Sequence, residues 1–212
     1  MKKKIIVALD FSSIESALPC LDKLDPSWCR VKIGKELFTS SGPESVKQAT
    51  SRGFDVFLDL KFHDIPNTVA KAVAVAAEMG VWMLNVHASG GYKMLVGARE
   101  ALDFFGEERP LLIGVTLLTS FCPTDLVAVG VADTPEAHVL RLALLAKDAG
   151  LDGVVCSARE VAMLRGKCGD KFCFVTPGIR RNQDKKNDQE RTQTPREAIA
   201  NGSDFLVMGR PI

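Results

Sequence analysis

Two aspartates and a lysine lie within six residues of one another, at Asp59, Lys61 and Asp64. The apolar run before them, residues 54–58, is typical of a buried strand. Because alternate residues of a strand share a face, Asp59 and Lys61 are expected to point the same way. Asp64 follows just beyond the strand, near Pro66, which can open a helix. An ammonium held between two carboxylates can move a proton in a site that handles negative charge. The alternative is a structural ion network, although buried charge is costly unless it is paired.

A second lysine, Lys32, lies between two apolar residues in another strand-like run. If Val31 and Ile33 face the surrounding helices, Lys32 faces the interior of the fold. The alternative is a lysine at the rim that extends its charge to solvent. Lys35 is the more ordinary solvated lysine of this run.

The C-terminal part of the chain carries groups that suit a phosphate. At the end of the last apolar run, Gly209 is followed by Arg210. Glycine lets backbone N–H groups approach an anion closely, and arginine binds phosphate through a planar fork. The polar stretch 178–193 predicts a mobile loop that closes over a ligand, with Arg180 and Gln189 as its candidate contacts. An idle surface loop is the alternative.

Short apolar runs alternate with helical patterns along the whole chain, and most of the runs are continuously apolar, as parallel strands covered on both faces tend to be. The predicted strands are 4–10, 29–34, 54–61, 82–88, 111–118, 153–157, 172–177 and 205–209. Thr134 and Pro135 predict the start of one helix and Gly150 its end, and 194–197 is a capping-box pattern that opens another. Eight such units predict an α/β protein with a single (β/α)8 TIM-barrel domain over residues 1–212. A doubly wound sheet is the alternative.

Polar residues fall at or just after the carboxyl ends of these strands, the face on which barrels keep their catalytic groups. They are Asp10, Lys32, Asp59, Lys61, His87, Thr119 and Arg210. For His87 a packed or rim histidine is preferred over a catalytic one.

The composition is that of an ordinary globular protein, with 46% hydrophobic and 25% charged residues among 212. A formal net charge of +1 gives no argument for nucleic acid or a membrane surface. No apolar run is long enough to span a bilayer. The six cysteines show neither a CxxC pair nor metal-ligand spacing. We therefore expect a cytoplasmic protein with no metal and no nucleic-acid or membrane partner.

Six motifs in order carry a family resemblance. They are residues 7–10, 31–35, 59–68, 115–120, 175–180 and 209–211. With them the chain resembles the orotidine 5′-monophosphate decarboxylase family, in its compact bacterial form, over essentially its whole length. The Asp-x-Lys-x-x-Asp core is shared with related phosphosugar decarboxylases and aldolases, whereas the extension through residues 62–68 is much more specific.

The resemblance implies decarboxylation of orotidine 5′-monophosphate to uridine 5′-monophosphate (UMP) and CO2, the last step of de novo pyrimidine nucleotide synthesis, without a cofactor. It implies that Lys61 protonates C6 of the pyrimidine. Asp59 and Asp64 hold this lysine, and Lys32 completes an alternating charged tetrad.

The resemblance also implies a homodimer with composite active sites, in which Asp64, Ile65 and Thr68 of one subunit reach the site of the other. The other implied substrate contacts are Asp10 and Lys32 at the ribose, Thr119 with Pro177 at the base, and Arg180, Gln189, Gly209 and Arg210 at the phosphate and lid.

Two other functions remain open from the residues. One is a metal-dependent sugar-phosphate decarboxylase or aldolase of the same barrel group, which would need a magnesium ligand set. The other is a non-catalytic barrel that binds a phosphorylated metabolite. The family's barrel normally continues into a final helix, and because the chain ends at Ile212 we expect that C-terminal helix to be missing.

Overall fold

The computed structural model describes residues 3–180 and 193–209, and its framework is a closed barrel of eight parallel strands. Each strand pairs with the next along the chain, and the last pairs with the first. The strands are β1 (Ile5–Leu9), β2 (Cys29–Gly34), β3 (Val56–Phe62), β4 (Met83–His87), β5 (Leu111–Val115), β6 (Gly153–Val155), β7 (Cys173–Thr176) and β8 (Phe205–Met208). The predicted (β/α)8 barrel is confirmed, and the doubly wound alternative is wrong.

Helices connect the strands and cover the outside of the barrel. They are α1 (Ile14–Leu21), α2 (Lys35–Ser41), α3 (Pro43–Thr50), α4 (Pro66–Glu78), α5 (Tyr92–Glu100), α6 (Pro123–Ala128), α7 (Pro135–Asp148), α8 (Val161–Cys168) and α9 (Pro195–Ala200). The predicted caps are confirmed: Thr134 accepts the Ala137 N–H, and Thr194 and Glu197 form a reciprocal capping box. In the ranges 3–180 and 193–209 we find no helix that is both long and apolar enough to cross a membrane.

Most residues of the strands are buried on both faces, which explains the continuous apolar runs in the sequence. One apolar cluster fills the inside of the barrel, with one residue from each of six strands. Its members are Ile6, Phe57, Met83, Ile113, Val175 and Val207. The alternate residues, such as Leu58 and Leu84, pack outward against the helices. Phe57 therefore fixes the direction of β3: two residues later, Asp59 points inward above this apolar floor.

At the amino ends of the later strands, two aspartates each accept hydrogen bonds from an arginine and from a backbone N–H of a neighbouring strand. The Asp152 carboxylate binds the guanidinium of Arg109 through two hydrogen bonds of 2.7 Å and also accepts a backbone N–H of β5. Asp204 Oδ2 likewise accepts from Arg165 at 2.8 Å and from the Phe174 N–H at 2.9 Å. Bidentate and charge-assisted bonds of this kind fix orientation as well as adding energy. They hold the barrel at the end opposite to the polar residues.

Candidate active site

Four charged side chains of alternating sign form a connected network at the carboxyl ends of β1, β2 and β3. Lys32 Nζ lies 3.2 Å from Asp10 Oδ1 and 3.5 Å from Asp59 Oδ2. Lys61 Nζ donates to Asp59 Oδ1 at 2.6 Å. The sequence-predicted residues Lys32, Asp59 and Lys61 thus meet at one mouth of the barrel, and Asp10 joins them.

Two members of the network are buried, Lys32 at 8% and Asp59 at 9% exposed, whereas Lys61 is partly exposed and Asp10 is exposed. Charges that leave water are tolerated when each has an opposite partner in good geometry. Gly34 makes room for this arrangement, since a Cβ at that position would lie 2.9 Å from Lys32 Nζ. A substituted Gly34 would therefore displace the ammonium from between its two carboxylates. The motif around Gly34 is visible in the sequence, whereas the reason for a glycine at this position is visible only in the structure.

Strand β3 is interrupted at Lys61, where simple alternation does not describe the backbone. Lys61 has φ +53°, and it is the one non-glycine residue with positive φ in the described part of the chain. Between the pairs Leu58–Leu84 and Phe62–Val86 the β3–β4 register shifts. The predicted shared face of Asp59 and Lys61 is found, yet a bulge accompanies it, and bulges re-aim side chains near active sites.

A cavity of about 410 Å³ opens above the network, within the range usual for small-molecule sites. The sequence-predicted residues that line it are Asp10, Lys32, Asp59, Lys61, Thr119, Pro177, Arg180 and Gly209. Its other walls are largely apolar and include Val115, Leu117, Val155 and Cys156. The cavity therefore combines a charged floor on one side with an apolar wall on the other.

Two of the four residues predicted to contact the phosphate or the lid, the loop 178–193, lie in the described part of the chain. Arg180 lines the cavity and donates from Nη1 to the Ile179 carbonyl at 2.9 Å. An isolated bridge joins Ile179 to Gln193, so the two ends of the predicted lid lie side by side. Gly209 lies against Asp10 at the cavity wall. Gln189 and Arg210 lie outside the described residues, as does the middle of the predicted lid.

Three predicted site residues lie away from this cavity. Asp64, Ile65 and Thr68 are exposed, with Ile65 66% exposed, and none of them lines the cavity of its own chain. The Asp64 carboxylate accepts the Ile65 N–H at 2.6 Å. Asp64 thus bonds its own loop and does not belong to the charged network within its own chain.

His87 is a packed residue beside the site. Its ring centroid lies 5.4 Å from that of His63. Burial, followed by the charge of the neighbouring His63, lowers the pKa of His87 from 6.5 to about 4. A neutral, half-buried imidazole at pH 7 agrees with the preferred sequence interpretation.

His87 is expected to make the fold lose stability in acid. Between pH 6.5 and 4 the unfolded chain takes up the His87 proton while the folded chain does not, so the free energy of unfolding falls as pH falls. We expect His87→Gln to lessen the loss between pH 7 and pH 5 by roughly 1–2 kcal/mol, after allowing for partial exposure. Urea unfolding at the two pH values measures it. Equal losses in both proteins would contradict the assignment.

No group of three or more histidine, cysteine or carboxylate side chains is arranged to hold a metal ion within residues 3–180 and 193–209. All six cysteines are free thiols. Among the residues that the structure describes, the cationic side chains that line the cavity are those of Lys32, Lys61 and Arg180. The arrangement is therefore suited to an anionic ligand that contacts protein ammonium and guanidinium groups directly.

Comparisons with known proteins agree with one another. Residues 3–212 match the sequence profile described as "Orotidine 5'-phosphate decarboxylase / HUMPS family". The chain is 59% identical over 209 residues to an orotidine 5′-phosphate decarboxylase of Vibrio cholerae, covering 99% of this chain and 90% of the relative. It is 58% identical over 212 residues to that of Legionella pneumophila, covering 100% and 93%. The crystal structure of orotidine 5′-phosphate decarboxylase from Lactobacillus acidophilus superposes with a TM-score of 0.88 at 40% identity, over 100% of this chain and 92% of the other.

Proposed function

The chain belongs to the orotidine 5′-phosphate decarboxylase / HUMPS family, and from that premise we propose how its cavity removes CO2 from orotidine 5′-monophosphate. The overall reaction yields UMP and CO2 and is the last step of de novo pyrimidine nucleotide synthesis. The observation that carries the mechanism is the charged network in which Lys61 Nζ lies 2.6 Å from the buried Asp59 at the floor of the cavity.

The bond that breaks joins C6 of the pyrimidine to its carboxyl carbon. CO2 leaves, and the electron pair of the bond stays on C6. The Lys61 ammonium stabilises this developing negative charge and then donates its proton to C6, which leaves a neutral amine that solvent reprotonates after product release. A fixed ammonium in a site with apolar walls is worth far more to such a charge than the same group in water.

The charges of Asp59 and Lys32 determine the electrostatic environment of Lys61. Asp59 Oδ1 holds the Lys61 ammonium while Oδ2 lies 3.5 Å from Lys32 Nζ, so the lysines are held apart by one carboxylate. We assign Asp59 to the neighbourhood of the substrate carboxylate, where repulsion between two anions is relieved as CO2 leaves. Lys32 and Asp10, joined at 3.2 Å, are the proposed contacts of the ribose hydroxyls.

The remaining contacts hold the parts of the nucleotide that do not react. Thr119 and Pro177 line the cavity and are the proposed contacts of the base. We assign the phosphate to Arg180 and Gly209, together with Gln189 and Arg210. Binding energy from a remote phosphate can support closure and positioning, and therefore turnover as well as affinity.

A second subunit is proposed to complete each site. Asp64, Ile65 and Thr68 are exposed and lie off their own chain's cavity, and an isoleucine that is 66% exposed suits an interface. In a two-fold dimer each chain would present this segment to the other's cavity. The alternating network Asp10–Lys32–Asp59–Lys61 would then gain the partner's Asp64 carboxylate next to the lysine. We propose that this enzyme works in the cytoplasm without a cofactor.

The assay that tests this function follows the ultraviolet absorbance of orotidine 5′-monophosphate after the protein has been dialysed exhaustively against EDTA. We expect full activity, because the charged groups at the cavity belong to the chain itself. Adding magnesium serves as the control. Activity that is lost on dialysis and restored by magnesium would favour the metal-dependent sugar-phosphate enzyme, and binding without any turnover would favour a non-catalytic barrel.

A further inference from the structure

A buried asparagine on β4 touches both members of the Asp59–Lys61 pair. Asn85 is fully buried, and its Nδ2 donates to Asp59 Oδ1 at 2.7 Å. Its Oδ1 accepts the backbone N–H of Lys61 at 2.8 Å. One amide therefore bonds the side chain of the aspartate and the main chain of the lysine.

The bond to Lys61 lies where the β3–β4 ladder is broken. Leu58 pairs with Leu84 and Phe62 with Val86. Between these two pairs β3 advances by four residues and β4 by two. The extra residues have no regular ladder partner, and Lys61 takes a backbone conformation that L-residues rarely adopt. Such a conformation persists only when the surroundings determine it. The Asn85 carboxamide supplies the acceptor that the ladder does not.

Few neighbouring groups could take over the two hydrogen bonds that the Asn85 amide makes. Its register partner on β5 is Ile113, which is fully buried and apolar. The charged and titratable groups that face it come from β3, namely Asp59 and Lys61, with Lys32 of β2 behind Asp59. On its own strand His87 lies two residues further on. A buried polar group without a partner destabilises a protein by more than an ordinary hydrogen bond stabilises it. Truncating Asn85 would leave both the Asp59 carboxylate and the Lys61 N–H without this hydrogen bond.

We propose that Asn85 is a positioning residue of the decarboxylase. By holding the Asp59 carboxylate and the bulged main chain of Lys61 together, it fixes where the Lys61 ammonium stands relative to the reacting carbon. The inference depends on the proposed role of Lys61 and adds the group that orients it. Nothing in the motif pattern marks Asn85; the signal is a polar residue between the apolar residues Leu84 and Val86, at an inward position of β4.

The first test is Asn85→Leu, which keeps the approximate shape and removes both hydrogen bonds. We expect kcat to fall roughly 10- to 100-fold, the equivalent of one or two bonds to charged or strained groups. KM should change less than threefold or so, since the phosphate and base contacts lie elsewhere in the cavity. The matched control is Ser45→Ala, which removes another buried side-chain bond, from the Ser45 hydroxyl on α3 to the Gly42 carbonyl at 2.6 Å, away from the cavity lining. It should leave kcat unchanged.

The second test is Asn85→Asp, which separates positioning from packing. The new carboxyl, when ionised, keeps the acceptor for Lys61 and repels Asp59; when protonated, it can donate to Asp59 as the amide did. The like charges raise the pKa of the new carboxyl. The ratio of variant to wild-type kcat should therefore rise as pH falls, whereas Asn85→Leu should give a constant ratio. A role in packing alone would give constant ratios for both variants.

Crystal structures of the two variants provide a readout that does not depend on turnover. We expect Lys61 to leave its positive φ in Asn85→Leu and to keep it in Asn85→Asp. A kcat within threefold or so of wild type for Asn85→Leu, a flat pH ratio for Asn85→Asp, or an unchanged Lys61 backbone in Asn85→Leu would each overturn the inference. If Asn85→Leu does not fold, the pH ratio of Asn85→Asp decides alone. Wild-type protein without turnover would instead contradict the proposed function, and the Lys61 backbone would still test the positioning.

Discussion

Lys61→Ala is expected to lower kcat for orotidine 5′-monophosphate by about 10²- to 10⁴-fold or more, because it removes the proton donor and the charge that faces the developing anion. General acid catalysis alone is worth about 10²–10⁴-fold, and a single preorganised electrostatic contact about 10²–10³-fold. The two effects come from one ammonium, so they are not simply multiplied. Initial rates from the fall in ultraviolet absorbance, with a large excess of the variant, measure the loss.

Two further substitutions make this result specific. Lys61→Arg keeps a positive charge and changes its shape and its readiness to give up a proton, so we expect it to recover only part of the loss. Lys147→Ala removes an exposed lysine on α7, far from the cavity lining, and should keep wild-type kcat. A Lys61→Ala enzyme that retains more than a few per cent of wild-type kcat would exclude Lys61 as the proton donor.

Mixing two inactive homodimers is expected to restore activity. If the partner's Asp64 completes each site, Lys61→Ala and Asp64→Ala homodimers should both be nearly inactive. In the heterodimer, two-fold symmetry puts both defects into one site and leaves the other site wholly intact. After subunit exchange, activity per heterodimer should rise to about half that of the wild-type dimer. Rates measured before and after exchange, at equal total protein, give the result.

The exchange itself needs an independent measure. Differently tagged subunits allow the heterodimer to be purified and its concentration to be known, and a mixture of two Lys61→Ala preparations with different tags controls for contamination. Purified heterodimer with no activity would show that Asp64 serves its own chain. Because Asp64 is exposed and lies off the cavity within one chain, that outcome would require the segment after β3 to rearrange.

The barrel could be predicted from the sequence because its strands are covered on both faces. Each of the eight apolar runs corresponds to a strand; the ends differ by at most three residues, and for β2 both ends agree. The ends differ most where a run continues past the ladder: 111–118 was expected, and β5 ends at Val115. Hydrophobicity records burial, and Leu117 is buried without belonging to a strand. Composition alone therefore cannot distinguish the end of a strand from a buried loop.

The charged network could be anticipated in its members and not in its connections. Strand alternation predicted a shared face for Asp59 and Lys61, and an inward Lys32 if its apolar neighbours face the helices; the structure brings the three together. The bond between Lys32 and Asp10 depends on the register of β1 against β2, which local sequence does not encode. Asp64 was grouped with the network by spacing, yet it is exposed, bonds its own loop and lies off the cavity lining of its own chain.

Asn85 and the bulge at Lys61 were not predicted, for a related reason. A register shift arises between two strands, and neither strand carries a glycine at the interruption to mark it. An asparagine within an apolar run is ambiguous until its neighbours are known. Once β4 lies beside β3, the amide reaches both Asp59 and Lys61. Asn85 and the bulge thus depend on contacts between two strands, which the periodicity of a single strand does not predict.

The central claim is that decarboxylation leaves an electron pair on C6, which takes up a proton from a group that exchanges with solvent and does so without an added metal ion. The most direct measurement is the isotope content of UMP formed from orotidine 5′-monophosphate by EDTA-treated wild-type protein in D2O. Because the Lys61 ammonium exchanges with solvent, the account predicts one deuterium at C6 in each UMP and one CO2 released per UMP. UMP that carries no deuterium at C6, or the absence of UMP, would contradict it.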